Sequence, residues 1–125
     1  MVKPSVPSLL AATLALAALA ASAAEPVRMA GGILVSADGR TLYTFDKDTA
    51  GNGKSACNGP CATLWPPLIA TAADKPAGPL GVVTRDDGTH QWSYKGKPLY
   101  FYQPDKKAGD RTGDNFKDVW HVIKQ

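Results

Sequence analysis

The sequence predicts an all-β fold: a small antiparallel sheet domain built from two related halves, with one short helical turn near a pair of cysteines. Three observations predict it. A segment occurs twice, as Gly39-Arg40-Thr41-Leu42-Tyr43-Thr44-Phe45-Asp46-Lys47-Asp48 and as Gly96-Lys97-Pro98-Leu99-Tyr100-Phe101-Tyr102-Gln103-Pro104-Asp105. Both copies read Leu-Tyr-x-aromatic-x-x-Asp and lie 57 residues apart, and such an internal period marks a repeated structural unit. Trp65 and Trp120 close the two copies, 55 residues apart. Turn signals rich in Gly and Asp separate short runs of β-branched and aromatic residues. No amphipathic stretch is long enough for a helix of useful length.

Taken in order, the chain of 125 residues opens on a segment that reads as a leader. Lys3 gives a positive start, and Leu9 to Ala21 is an apolar run broken only by Thr13. Ala21-Ser22-Ala23 and Ser22-Ala23-Ala24 both fit the small-x-small cleavage pattern, so residues 1–24 read as a cleaved secretory signal peptide. The apolar run is too short for a membrane span, and a polar chain follows. The mature chain then starts at Ala24 or Glu25 and holds roughly 100 residues, one small domain. It divides into repeats at approximately 32–70 and 80–125.

Within the first repeat, Ile33 to Val35, the turn Ser36-Ala37-Asp38-Gly39 and Thr41 to Phe45 read as a hairpin. Cys61 to Trp65 reads as a helical turn stopped by Pro66-Pro67, because proline lacks an N–H and restricts the residue before it. Thr71 to Pro79, rich in Ala and Pro, joins the halves as a loop. In the second repeat, Val82 to Arg85, His90 to Tyr94 and Leu99 to Tyr102 read as a three-strand meander. Its turns are Asp86-Asp87-Gly88-Thr89 and Lys95-Gly96-Lys97-Pro98. Trp120 to Ile123 reads as a last strand.

On a strand, residues two apart share a face. Tyr43 with Phe45, and Tyr100 with Tyr102, therefore point one way, while Leu42, Leu99 and Phe101 point the other. Asp48 and Asp105 fall just past the strand ends, where a carboxylate can accept N–H groups of the following loop. With Trp65 and Trp120, these residues form either core and turn fixings or a ligand surface made of exposed aromatics.

Cys57 and Cys61 are the only cysteines. In an exported chain two cysteines pair, and their i, i+4 spacing in a helical turn puts the Cα atoms about 6 Å apart, within disulfide range. The bond is expected to fix the turn around Asn58-Gly59-Pro60. Three intervening residues do not fit a thioredoxin-type redox motif, and no Cys-x-x-Cys-His is present for haem. Met29, His90 and His121 are the weak candidates for a metal such as copper, although nothing in the sequence places them together. Asp46-Lys47-Asp48-Thr49-Ala50-Gly51 begins like a calcium loop, but Ala50 and Cys57 occupy ligand positions. The net charge is +3. Lys and Asp are interleaved without a basic stripe, so nucleic acid is not an expected partner. No nucleophile elbow, zinc-protease motif or phosphate loop occurs.

The combination of these motifs resembles the bacterial secreted-repeat proteins described as predicted lipoproteins with a Yx(FWY)xxD motif. The resemblance rests on Tyr43-x-Phe45-x-x-Asp48 and Tyr100-x-Tyr102-x-x-Asp105. It also rests on Cys57-x-Gly59-x-Cys61-Ala62-x-x-Trp65-Pro66-Pro67-Leu68, on the run from Asp87 to Tyr100, and on Gly109-Asp110-x-x-Gly113 with Trp120-His121-Val122. It covers nearly all of the mature chain. It implies a secreted or periplasmic protein of two repeats and implies no activity. Many relatives carry a lipid anchor; no cysteine stands at the cleavage site here, so a soluble protein is expected. Relatives tend to have a Gly-rich stretch where this chain reads Asp114-Asn115-Phe116-Lys117-Asp118.

The expectation is thus an exported, non-catalytic binding or interaction module, without a cofactor or a membrane span after cleavage. Its partner is an unidentified periplasmic protein or small ligand. The alternative is a redox or metal-handling protein that uses Cys57 and Cys61 or the set Met29, His90 and His121.

Overall fold

At the centre, Tyr43 and Tyr100 face each other across an antiparallel bridge. Tyr43 N–H donates to Tyr100 O at 2.8 Å, and Tyr100 N–H to Tyr43 O at 3.0 Å. The two copies of the motif therefore meet through their own tyrosines. The computed structural model describes residues 25–71 and 73–125; the signal peptide expected at 1–24 lies outside the described residues.

The elements are β1 (Val27–Ala30), β2 (Ile33–Ser36), β3 (Tyr43–Phe45), α1 (Pro60–Leu64), β4 (Ile69–Ala70), β5 (Leu80–Thr84), β6 (His90–Tyr94), β7 (Lys97–Pro98), a 3₁₀ turn (Phe116–Asp118) and β8 (Trp120–Val122). All strand pairing is antiparallel: β1 with β2, β3 with β8, and β6 with β5, β4 and β7. β5 runs along one edge of β6, while β4 and β7 share the other. Among the described residues no helix is long and apolar enough to cross a membrane.

Several elements depart from the sequence expectation. The first hairpin exists, with Ser36 N–H on Arg40 O at 2.8 Å and Leu42 N–H on Leu34 O at 3.2 Å. Yet β2 makes its full ladder with β1, and β3 makes its ladder with β8. In the meander, pairing beyond the second turn starts at Lys97, not Leu99. That turn has two residues, Lys95 and Gly96, both at positive φ (51° and 85°), the requirement of the tightest hairpin connection. Leu99 to Tyr102 is not a strand but an extended run. It bonds to Trp92 O, Tyr43 O and Pro66 O in turn. The helix begins one residue earlier than expected, at Pro60, where a missing N–H is harmless in the first turn.

The central runs divide the interior by alternation. Tyr43, Phe45 and Tyr100 join Ile33, Val35, Trp65 and Trp120 in one apolar cluster. Leu42 and Leu99 join Leu34, Trp92 and Ala70 in the other. This is the two-sided burial that the apolar residues on both faces of the motif imply.

Candidate functional site

Each motif tyrosine reaches the aspartate of the other motif. Tyr43 Oη lies 2.6 Å from Asp105 Oδ2, and Tyr100 Oη lies 2.7 Å from Asp48 Oδ2. The other carboxylate oxygen holds the loop that follows its own strand. Asp48 Oδ1 accepts Ala56 N–H at 2.6 Å. Asp105 Oδ1 accepts Thr112 N–H at 3.0 Å and the Thr112 hydroxyl at 2.5 Å. One aspartate thus ties a loop of its own half to the tyrosine of the other half.

The proton directions follow by elimination. An ionised carboxylate only accepts, so both tyrosine O–H groups donate to it. Tyr43 Oη then accepts Gly113 N–H at 3.2 Å. Tyr100 Oη accepts the Ser55 hydroxyl at 2.6 Å. Ser55 Oγ in turn accepts Arg85 Nη1 at 3.0 Å and Cys57 N–H at 3.2 Å. A chain of donors therefore runs from the guanidinium of Arg85 through two hydroxyls to the carboxylate of Asp48. Arg85 is only 4% exposed. It also donates to Gln91 Oε1 at 2.8 Å, Cys57 O at 2.6 Å and Asn58 Oδ1 at 3.3 Å. Among the described residues no buried side-chain polar atom lacks a partner, as a low-dielectric interior requires.

Burial raises the Asp48 carboxyl above its ordinary value, against the opposing hydrogen bonds from Ala56 and Tyr100. Burial, reinforced by the facing carboxylate, also raises both tyrosines well above the usual phenol range. The tyrosines therefore stay protonated, and both hydroxyls remain donors.

The aromatic rings repeat the exchange. Phe45, Trp120, Trp65 and Tyr102 stack in that order, with centroids 4.1, 3.8 and 4.2 Å apart. The rings come alternately from the first and second halves. Tyr43 meets Trp65 edge-on at 5.3 Å, and Tyr100 meets Trp120 at 5.1 Å. Backbone contacts follow the same rule: Asp46 N–H donates to Val119 O at 2.7 Å and Gln103 N–H to Leu64 O at 2.8 Å. Reciprocal contacts of this kind describe an approximate twofold relation between the halves, as in an isologous dimer interface.

All eight motif residues are thus brought together: Tyr43, Phe45, Asp48, Trp65, Tyr100, Asp105 and Trp120 are buried, and Tyr102 is half-buried. Only Tyr102 keeps part of its surface exposed. Cys57 and Cys61 form a disulfide, with Cα atoms 5.3 Å apart. Met29, His90 and His121 fall in three different sheets. His121 Nε2 lies 2.8 Å from Asp46 Oδ2, and its Nδ1 lies 3.1 Å from Asn115 Oδ1. His90 Nδ1 lies 3.4 Å from Thr84 Oγ1. Among the described residues no group of three or more His, Cys, Asp and Glu side chains could hold a metal ion.

Sequence reasoning missed Arg85 and Gln91, whose side chains are buried; Arg85 reaches Ser55, Cys57 and Asn58 of the first half, and Gln91 donates to Leu99 O. Their signal was weak: a charged residue ending a strand and a polar residue inside one. It also missed two open clefts. The larger, about 450 Å³, is lined by Tyr94, Lys95, Lys97, Val122, Ile123 and Lys124 among others. The second, about 290 Å³, lies between Arg28 and Arg111.

Comparison with known proteins agrees with the duplicated architecture. The model of the family described as "secreted repeat of unknown function" matches twice, at residues 27–69 and 81–124. The first match begins ahead of the repeat boundary near residue 32 expected from the motif, and takes in β1. No curated protein and no solved structure matches the chain.

Proposed function

Because the chain belongs to the family of secreted repeats of unknown function, we propose that it is an exported, non-catalytic binding module that captures an acidic segment of a partner protein. The finer placement, soluble in the periplasm or the medium after removal of residues 1–24, is part of the same reading.

One observation carries the proposal. The larger cleft is lined by the apolar side chains of Tyr94, Val122 and Ile123 together with three lysines, Lys95, Lys97 and Lys124. A surface of this kind complements a segment that alternates carboxylates with apolar side chains. Its walls are held by hydrogen bonds. β8 is held by β3, and the Lys95-Gly96 turn is pinned by Gly51 N–H donating to Gly96 O at 3.0 Å. The motif aromatics do not supply this surface, because they are used in the interior.

The rival redox reading has less support. Exchange needs an accessible sulfur; Cys57 is 0% exposed with its carbonyl held by Arg85, which leaves only the half-buried Cys61 open to attack.

The test is a titration of the mature protein with an extended peptide of alternating Glu and Leu, followed by amide chemical shifts. Shifts should cluster around residues 94–97 and 122–124. Lys97→Glu with Lys124→Glu should lower affinity at least about tenfold. Equal binding of a Lys–Leu peptide, or no effect of the double substitution, would defeat the reading.

A further inference from the structure

Two Asn-Gly pairs occur in the chain, Asn52-Gly53 and Asn58-Gly59. They are chemically the same and structurally opposite. An asparagine followed by glycine can lose its side-chain amide to attack by the glycine nitrogen. Glycine has no side chain to obstruct the approach, and it has the backbone freedom to close the five-membered ring. Asparagine counts among the thermolabile residues. Whether a given pair reacts depends on how its carboxamide and the following N–H are held.

At Asn52 little holds them back. Asn52, Gly53 and Lys54 are all exposed. Among the described residues the one side-chain hydrogen bond of Asn52 is at Oδ1, which accepts Lys54 N–H at 2.9 Å. Gly53 N–H has no backbone acceptor there. Gly53 stands at φ 74°, with open space where a side chain would be. The bond from Lys54 closes an Asx turn, which curls the carboxamide over the Asn52–Gly53 peptide. The same N–H points at the oxygen on which negative charge develops when Cγ is attacked, as in an oxyanion hole.

At Asn58 the arrangement is reversed. This residue is half-buried, inside the loop closed by Cys57 and Cys61. Its Nδ2 donates to Ser55 O at 3.2 Å and to Asp86 Oδ2 at 3.4 Å. Its Oδ1 accepts Arg85 Nη2 at 3.3 Å. Its main-chain carbonyl accepts Cys61 N–H at 3.2 Å. The carboxamide is fastened at both ends and has to leave these partners to close a ring with Gly59 N.

We propose that Asn52 is a site of spontaneous deamidation in the folded protein and that the fold protects Asn58. Hydroxide takes the Gly53 N–H proton, and the nitrogen attacks Asn52 Cγ. The N–Cγ bond forms, the Cγ–Nδ2 bond breaks, and ammonia leaves with a proton from water. Water then opens the cyclic imide. Cleavage at Cγ gives aspartate, and cleavage at the main-chain carbonyl gives isoaspartate. Either product adds a negative charge beside Lys54. The isoaspartyl form also lengthens the main chain by one methylene next to Gly51, whose N–H on Gly96 O at 3.0 Å ties this loop to the Lys95-Gly96 turn. The modification needs no ligand, so it stands independently of what the larger cleft binds.

The experiment holds the mature protein, folded and with its disulfide intact, in mildly alkaline heavy-oxygen water for days. A parallel sample is reduced and unfolded in guanidinium. Digestion in ordinary water, peptide masses and backbone fragmentation then locate the heavy oxygen. In the folded protein the label should enter at Asn52, as a mixture of aspartate and isoaspartate. Asn58 should react at least about tenfold more slowly, because its hydrogen bonds have to break first. In the unfolded chain the two should react at similar rates. A second set of amide peaks at Gly51 and Gly96 should grow in step with the label, and Asn52→Gln should remove both signals. An Asn52 that survives in the folded protein while the unfolded chain converts would overturn the proposal. So would an Asn58 that keeps pace with Asn52 in the folded protein, or a difference between them that persists unchanged on unfolding.

Discussion

Trp65 and Trp120 lie face to face, their ring centroids 3.8 Å apart and their planes 1° from parallel. Each comes from a different repeat, and each is flanked on its outer face by an aromatic of the opposite repeat. The repeat signature is thus a description of an internal interface. Within the stack each ring finds its face-to-face neighbours in the other half, while the edge-on contacts of Tyr43 with Trp65 and of Tyr100 with Trp120 stay within one half, so the duplicated motif records mutual dependence between the halves.

Gly113 sets the tolerance of that stack. A Cβ at this position would come within 2.7 Å of Trp65 and 2.8 Å of Tyr102, both rigid rings. Gly113→Ala should cost about 1–3 kcal/mol, the usual range for overpacking a filled interior. Urea unfolding followed by tryptophan fluorescence measures it, and an unchanged midpoint would mean that the stack moves aside freely.

Removing a motif hydroxyl leaves a buried carboxylate short of a donor. Tyr43→Phe and Tyr100→Phe should therefore each destabilise by about 1–3 kcal/mol. The exchange between repeats makes a sharper statement. Tyr43→Phe and Asp105→Asn should couple to each other by about 0.5–3 kcal/mol in a double-mutant cycle, whereas Tyr43→Phe and Asp48→Asn should couple more weakly. Equal coupling in both cycles would contradict the reciprocal pairing.

Asp48 also makes a pH prediction whose sign runs against the usual carboxylate case. Its folded-state pKa is raised by burial, so between the unfolded and folded values the native state binds more protons. The contribution of this group is fully present below the unfolded value, near the ordinary aspartate range, and is lost as pH rises through the folded value. Asp48→Asn removes that loss. The stability deficit of the Asn variant should shrink as pH rises from about 4. Chemical unfolding of both proteins across that window gives the slope, and a deficit that grows with pH would refute the burial argument.

The disulfide closes a short loop, so chain entropy assigns it about 2 kcal/mol. The loop is also fastened from inside, by Arg85 on Cys57 O at 2.6 Å and by Trp65 N–H on Cys61 O at 2.8 Å. Cys57→Ser with Cys61→Ser should therefore fold, with the spectrum of the oxidised protein and a melting temperature about 8–16 °C lower. Loss of the folded spectrum would assign the bond a larger part than a local clip.

Much of this fold was legible because it is local. The turns at 36–39, 86–89 and 95–98 were marked by Gly and Asp, and the i, i+4 cysteines declared their own turn. The loop-fixing part of Asp48 and Asp105 was legible for the same reason, since a carboxylate past a strand end meets the next few N–H groups. Their second oxygens were not, because they meet tyrosines 52 and 62 residues away. Similarity between two segments says that they are alike, not that they embrace. β1 escaped although Gly31-Gly32, both at positive φ (61° and 84°), make the tight turn that joins it to β2; Val27–Ala30 is only four residues long. Arg85 escaped because arginine is rarely buried, and its acceptors are scattered from Ser55 to Gln91.

The reciprocal architecture has one further consequence. Neither repeat contains the Tyr–Asp partners or the stacking partners of its own motif, so neither should fold alone, while the two together should not need a covalent link. The joining segment is exposed at Thr71 and from Ala73 to Pro79, and its local bonds are few: Asp74 with Thr71, and Ala77 with Leu80. A protease site inserted after Lys75 falls beyond β4, which must remain with the first fragment because Ile69 and Ala70 pair with Gln91 and His90. The cleaved protein should elute as one species and unfold in one cooperative transition, because the apolar stack and both Tyr–Asp pairs cross between the fragments. Its stability should become concentration-dependent, as for any two-chain complex. Each fragment purified alone should lack the near-ultraviolet signal of the stacked tryptophans, and mixing should restore it. A first or second fragment that folds by itself would show that the contacts between repeats are secondary to those within each.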